Sequence, residues 1–210
     1  MKLFNEDLGN QAYKVLREII LSGQLTPGEK IVQDKLAKEL GISRTPLRTA
    51  LNRLESESLI ESIPRRGVVV KKFSPEEIIH IYDCRIAIEV MAIELFTRKA
   101  SGEKLRKLDQ FFLSFTPGEI SHEKYREVDQ DFHSYILANC GNNYLQKMFY
   151  QSSMMGSIQM IGLVRPPDET LGEHYALIEA VKNRDIYLSR SLMHSHLALS
   201  KDLVQSKLNE

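Results

Sequence analysis

The alternation of apolar and polar positions sets out the elements before any chemistry is considered. Leu8, Ala12, Val15, Leu16, Ile19 and Ile20 recur at helical spacing over residues 8–22, and Gly23 ends the run. The stretch LTPGE follows as a turn punctuated by Pro27-Gly28. Leu36, Ala37 and Leu40 give residues 33–40 one inward face, and Gly41 permits a sharp turn. Ser43 stands at the N-cap position of a further helix, with Pro46 in its first turn, where the missing N–H costs nothing. There Leu47, Ala50, Leu51 and Leu54 form the inward stripe, leaving Arg44, Thr45, Arg48, Thr49 and Asn52 outside. Leu59–Ile63 and Val68–Lys71 read as two strands around Pro64-Arg65-Arg66-Gly67.

From Ser74 onward the period is helical throughout. Ser74 caps, Pro75 occupies the first helical position, and Glu76 and Glu77 complement the dipole. Helices are predicted at about 75–99, 102–114, 121–139, 142–161, 168–182 and 185–207, separated by short breaks rich in Gly, Pro and Asn. No strand pattern or internal repeat interrupts them, and connections this short fit an antiparallel bundle. The expected fold is therefore mainly α. A winged helix-turn-helix domain with a small β-hairpin (residues 1–73) precedes an all-α antiparallel bundle (residues 74–210).

Composition supports two parts with different tasks. Formal charge is zero, with 28 Lys+Arg against 28 Asp+Glu. Residues 1–72 nevertheless hold 13 basic against 9 acidic side chains, and the remainder holds 15 against 19 together with all six histidines. A basic part suits a polyanion and an acidic, His-bearing part suits a cation. The longest apolar stretch, near Met154–Val164, is too short to span a bilayer. The opening residues lack an apolar secretory core, and Cys84 and Cys140 stand alone, so a cytoplasmic location with reduced thiols is expected.

Candidate chemistry falls on both parts. Two short helices joined by a tight turn describe a helix-turn-helix whose second helix enters the major groove. Arg44 and Arg48 would present donor forks to guanine or phosphate, and Ser43 and Thr45 suit phosphate oxygens. The arginines of the hairpin would reach the minor groove or its phosphates. In the second part, Asp129 and His133 share one helix face at i, i+4. His174 lies on the next-to-last predicted helix, and the last carries His194 and His196, which point about 200° apart. One carboxylate and three imidazoles would suit Zn²⁺ or another borderline divalent ion with positions left open. The spacing fits hydrogen-bonded core histidines equally, and it leaves His194 and His196 in competition. Arg85, among apolar neighbours, would either grip a ligand carboxylate or pair with Glu89 at i, i+4. Arg165 is a weaker candidate for the same grip.

The run LAKELGISRTPLRTALNRLESESLI followed by PRRGVVV resembles the winged helix of GntR-family transcriptional regulators over about residues 8–72. The resemblance assigns DNA contacts to Arg44, Thr45 and Arg48 and, in the wing, to Arg66 and Gly67. Gln33-Asp34-Lys35-Leu36 departs from the Arg often found before the L-A pair, moving any base contact of that helix to Gln33 or Lys35. Ser58 stands where Gly is usual. DQDFHSYILANCGNNYL, EHYALIEAVKNRD and MHSHL resemble the FCD ligand domain of the FadR-like subgroup over about residues 75–205. In its metal-binding members the matching positions are Asp129, His133, His174 and His196, so the resemblance selects His196 over His194. It also places Arg85 beside the effector cavity.

Together these imply a homodimeric regulator, in this family most often a repressor. It would bind a palindromic operator in double-stranded DNA, and a small carboxylate effector would modulate it at a site holding zinc, nickel or manganese. A regulator for which the ion itself is the signal is the main alternative. A helical metallohydrolase is a weaker one, since H-E-x-x-H, G-x-S-x-G and G-x-x-x-x-G-K-[ST] are all absent.

Overall fold

A computed structural model of the chain describes residues 8–151 and 153–208. Residues 1–7, on which part of the expectation about an export signal rests, lie outside the described residues. The elements in chain order are α1 (Leu8–Leu21), α2 (Gln33–Glu39), α3 (Arg44–Ser56), β1 (Ile60–Ile63), β2 (Gly67–Val70), α4 (Pro75–Lys99), α5 (Gly102–Leu108), α6 (His122–Asn139), α7 (Asn143–Gln151), α8 (Met154–Ile161), α9 (Pro167–Lys182) and α10 (Ile186–Leu208). The fold is mainly helical, with one two-stranded antiparallel hairpin after the helix-turn-helix. No described helix is long and apolar enough to cross a membrane.

The chain divides into two compact units, Met1–Phe73 with Ser152–Met160, and Ser74–Gln151 with Ile161–Glu210. In the first, Leu16 and Ile20 of α1 meet Leu47, Ala50, Leu51 and Leu54 of α3, and Leu59 and Val70 close the core from the hairpin. The inward stripe of α3 is the one its periodicity predicts. β1 and β2 run in register from Ile60–Val70 to Ile63–Gly67. A third extended segment, invisible to the pattern, joins them: Ile31 N–H donates to Val68 O at 2.9 Å and Val70 N–H to Glu29 O at 2.8 Å. Ser58 takes φ +56°, in the left-handed region that favours glycine.

The second unit is built on α4. Its capping box is complete, with Ser74 N–H donating to Glu77 Oε2 at 2.8 Å and Glu77 N–H to Ser74 Oγ at 3.2 Å. At its far end Arg184 donates to the carbonyls of Thr97 (2.7 Å) and Ala100 (2.5 Å). α10 and α6 both pack on α4, and α9 packs on α10. Phe96, Phe112, Tyr125 and Phe132 are fully buried.

Two predicted helices come out differently. The one expected over 102–114 ends at Leu108. Phe111 and Phe112 are neighbours and would point about 100° apart on a helix. Released into turns, Phe111 packs against Phe132 and Tyr135 while Phe112 packs against Phe132 and His174. The helix expected over 142–161 is two, α7 and α8. The second of these groups with the first unit.

Candidate metal centre and nucleic-acid interface

The recognition surface follows from how α3 starts. Ser43 occupies the N-cap position in extended backbone, but its hydroxyl makes no capping hydrogen bond. The hydroxyl and the first N–H groups of α3 thus face outward together. Ser43, Arg44, Thr45 and Arg48 are exposed. Arg44, 81% exposed, pairs with Asp34 Oδ1 at 2.9 Å. An open groove of about 660 Å³ runs between residues 30–34 and the wing, with Arg44 of α3 at its border, lined by Lys30, Asp34, Arg44, Arg65, Arg66 and Gly67 among others. It brings Arg44 onto one surface with Arg66 and Gly67, while Ser43, Thr45 and Arg48 lie outside that lining. Lys30 escaped the sequence reading because its place beside the wing comes from the extended segment paired with β2.

The second site lies where α6, α9 and α10 converge. Asp129 and His133 on α6, His174 on α9 and His196 on α10 each offer one donor atom, all within 4.8 Å of one another. The three imidazoles are buried and Asp129 retains 15% side-chain exposure, so the carboxylate marks the open side. His196 faces inward and His194 is exposed.

What surrounds the rings explains their state. His133 Nδ1 meets Glu89 Oε2 at 2.5 Å, His196 Nδ1 meets Glu173 Oε2 at 2.7 Å, and His174 Nδ1 meets the Tyr125 hydroxyl at 2.8 Å. The carboxylates only accept, so His133 and His196 carry their proton on Nδ1. Tyr125 is also bonded to Thr170 Oγ1 at 2.8 Å, and Thr170 lies 3.3 Å from Pro167 O. That carbonyl only accepts, so a chain running from His174 through Tyr125 and Thr170 to Pro167 puts the His174 proton on Nδ1 too. All three Nε2 lone pairs then face the centre. Each glutamate has its own arginine: Arg85 Nε donates to Glu89 Oε1 at 2.6 Å, and Arg165 holds both oxygens of Glu173. Phe112 stacks on His174, with ring centroids 4.4 Å apart.

The electrostatics agree. Burial works to raise the Glu89 carboxyl, but Arg85 and His133 outweigh it and hold it at about 2. Burial likewise opposes ionisation of Asp129, yet the surrounding imidazoles, His174 foremost, keep its carboxyl well below the usual range. Burial pushes His174 down, and it pushes His196 down to about 4 in spite of Glu173. Burial thus favours neutral imidazoles at His174 and His196 beside an ionised Asp129, the protonation states a divalent ion requires.

Whether these residues fit a cation is tested by their orphaned atoms. Nε2 of His133 and of His174 are buried with no hydrogen-bond partner among the described residues. His174 Nε2 lies 3.3 Å from Asp129 Oδ1 and His133 Nε2 lies 4.0 Å from it, lone pairs facing an anion. Acceptors converge on acceptors there, an arrangement that calls for a positive ion between them. The donor set therefore fits a divalent metal.

Sequence reasoning named the four donors but missed Tyr125, Glu173 and Phe112. Glu89 was weighed only as a partner for Arg85, which it is. Glu173 precedes His174 in sequence yet serves His196, a pairing no local pattern announces. Arg85 is bound through Nε alone, and its two Nη groups make no hydrogen bond among the described residues.

Residues 8–70 match the model of bacterial regulatory proteins of the gntR family, and residues 80–199 match the FCD domain. The gluconate operon transcriptional repressor of Bacillus licheniformis is 30% identical over 209 residues, covering 93% of this chain and 82% of that protein. Its namesake in Bacillus subtilis is 31% identical over 206 residues, with the same coverage. A GntR transcriptional regulator from Rhodococcus sp. RHA1 shares the fold at TM-score 0.79 and 18% identity, covering 94% of this chain and 97% of that one. Escherichia coli McbR/YncC does so at TM-score 0.72 and 20% identity, covering 96% and 98%. The chain belongs to the GntR family of bacterial regulatory proteins and carries an FCD domain.

Proposed function

We propose that this DNA-binding transcriptional regulator is a homodimeric repressor acting in the cytoplasm, whose operator affinity is set by a small carboxylic acid bound at the metal centre of its helical domain. Residues 1–73 would carry DNA binding, and residues 74–210 would carry ligand binding and dimerisation. Family membership makes the chain a regulator rather than an enzyme and sets aside the hydrolase reading. The observation that carries the finer reading is the set of lone pairs from His133, His174 and His196 turned toward Asp129, each ring fixed by its own partner.

Asp129, His133, His174 and His196 would hold the ion, with zinc the best match to this donor set and nickel or manganese as substitutes. When bound, the ion supplies a Lewis-acidic position for a ligand carboxylate. The chain's own residues do the rest. Arg85 turns its Nη groups to the ligand while Nε stays on Glu89. Phe112 covers the His174 ring, and Asp129 leaves the approach open. On the other unit, two copies of α3 would enter successive major grooves of a palindromic operator, with Ser43, Arg44, Thr45 and Arg48 on bases and phosphates, and Arg66 with Gly67 holding the wing to the backbone.

The test combines metal analysis with DNA binding. The purified protein should carry a divalent ion that His174→Ala removes. Anisotropy with a duplex selected from a random pool should show affinity that changes between chelator-stripped protein, zinc-loaded protein, and zinc with a panel of small carboxylic acids. No sequence preference at physiological salt would sink the operator reading. A response to zinc alone, with no added effect of any acid, would make the ion itself the signal.

A further inference from the structure

The segment Ser152–Met160 lies in sequence between helices of the ligand domain but belongs to the compact unit of the DNA-binding head. Within that unit, Gly156, Ser157 and Ile158 of α8 are buried, and Met160 packs against the core formed by α1, α3 and the hairpin. Gly156 sits directly on the backbone of Glu57: a Cβ there would strike the Glu57 carbonyl oxygen and lie 3.2 Å from its carbonyl carbon. Glycine in a helix interior is less favourable than alanine, so a close approach is the physical reason for one here.

Glu57 is the residue that ends the recognition helix, and it is a junction. Tyr13 donates to its Oε1 at 2.6 Å and Arg17 Nε to its Oε2 at 3.3 Å, while Arg17 Nη2 donates to Gln159 Oε1 on α8. Arg53 lies over the Tyr13 ring at 3.6 Å. One turn of α8 is thus bonded to α1 through Arg17, which also holds Glu57, and lies against the end of α3 at Gly156.

The other end of the same segment leads to the metal centre. After Met160 the chain passes into the second unit, and only Ile161, Gly162, Leu163 and Val164 precede Arg165. Arg165 is buried and held at four acceptors: both Glu173 oxygens, Ser200 Oγ at 3.3 Å and the His196 carbonyl at 3.5 Å. Glu173 in turn holds His196 Nδ1.

We propose that α8 is the transmission element of this regulator, a strut seated on the end of the recognition helix at Gly156 and Gln159 and fastened to the metal-centre residue His196 through Arg165 and Glu173. A change in the position of His196 on ligand binding moves Glu173, Arg165 must follow because its donors are committed there, and the short link to Met160 carries the displacement to Glu57 and α3. The proposal rests on the reading that occupancy of the helical domain changes DNA affinity.

Gly156→Ala is the direct test. Alanine is a better helix former than glycine, so the variant loses the seat and not the helix. Gln159→Ala removes the bond from Arg17 without adding bulk and serves if the first variant folds poorly. DNA affinity is measured by anisotropy for stripped protein, zinc-loaded protein, and zinc with the carboxylic-acid panel. The wild type is expected to respond by roughly fivefold or more, and both variants by less than about twofold, while their zinc affinity in chelator competition stays at the wild-type level. Hydrogen exchange should show α8 and the end of α3 changing protection together on zinc or acid binding in the wild type only. A wild type that responds alongside variants that respond by the same factor overturns the strut. A wild type that does not respond at all removes the function reading itself, and the strut with it.

Discussion

At the residue scale, the second nitrogen of each histidine governs what the first can do. Tyr125→Phe deletes the acceptor for His174 Nδ1, frees the ring to flip or change tautomer, and leaves the fold of α6 and α9 intact. Loss of such a partner lowers metal affinity by about 10–100-fold, to be read by competition with a chromogenic zinc chelator. The pH behaviour follows from burial. His196 is held down to about 4, below its unfolded value of 6.5, so the unfolded chain binds the extra proton between those limits. Stability of the stripped protein is therefore full above pH 6.5 and declines as pH falls toward 4, by on the order of 3 kcal/mol. A second loss sets in between pH 4.5 and 2 as Glu89 and Glu173, both held at about 2, take up protons. Thermal melts of chelator-treated protein between pH 4 and 8 check the first window: a flat Tm there would contradict the buried neutral imidazole. The four donors were legible in the sequence, two of them by i, i+4 spacing and the full set through family resemblance. Their partners were not, because Glu89 and His133 stand 44 positions apart and Tyr125 and His174 stand 49 apart.

At the element scale, local signals did well wherever the cause was local. The capping box of α4 was written in Ser74, Pro75 and Glu77, and Ser74→Ala should cost about 1 kcal/mol in urea unfolding of the intact chain. Ser58 shows the reverse, a residue at odds with its backbone. Its φ of +56° lies where a Cβ is crowded, so Ser58→Gly should leave stability unchanged or raise it by up to about 1 kcal/mol. A loss on that substitution would mean the hydroxyl holds the turn. α5 was predicted too long because periodicity counts apolar residues without knowing what they meet. Phe111 reaches Tyr135 and Phe112 reaches His174, on either side of the Phe132 they share, only off the helix. α8 was predicted as the end of α7, since both halves are apolar at compatible spacing and nothing in a one-dimensional pattern tells which core a face will join.

At the scale of the whole molecule, the basic excess of residues 1–72 resolves into a surface. Arg44, Arg65, Arg66 and Lys30 line one groove beside the exposed start of α3, and Arg48 stands outside it. Arg48→Ala should cost about 1–3 kcal/mol on the preferred duplex and relax sequence choice, whereas Arg66→Ala should weaken all duplexes alike and reduce the salt slope by about 1. Equal behaviour of the two in a salt titration would contradict their separate roles. The sequence by itself determined the order of elements, the inward stripe of each long helix, the exposed arginines and the family, because periodicity, caps and motif spacing act between residues a few positions apart. Only the tertiary structure decided that each of the three rings is held through its Nδ1, that Glu173 serves His196, and that α8 sits on a recognition helix about a hundred positions earlier in the chain. Those contacts join segments as far apart as the 142 positions between Arg17 and Gln159, and they exist only once hydrophobic burial has brought the helices together.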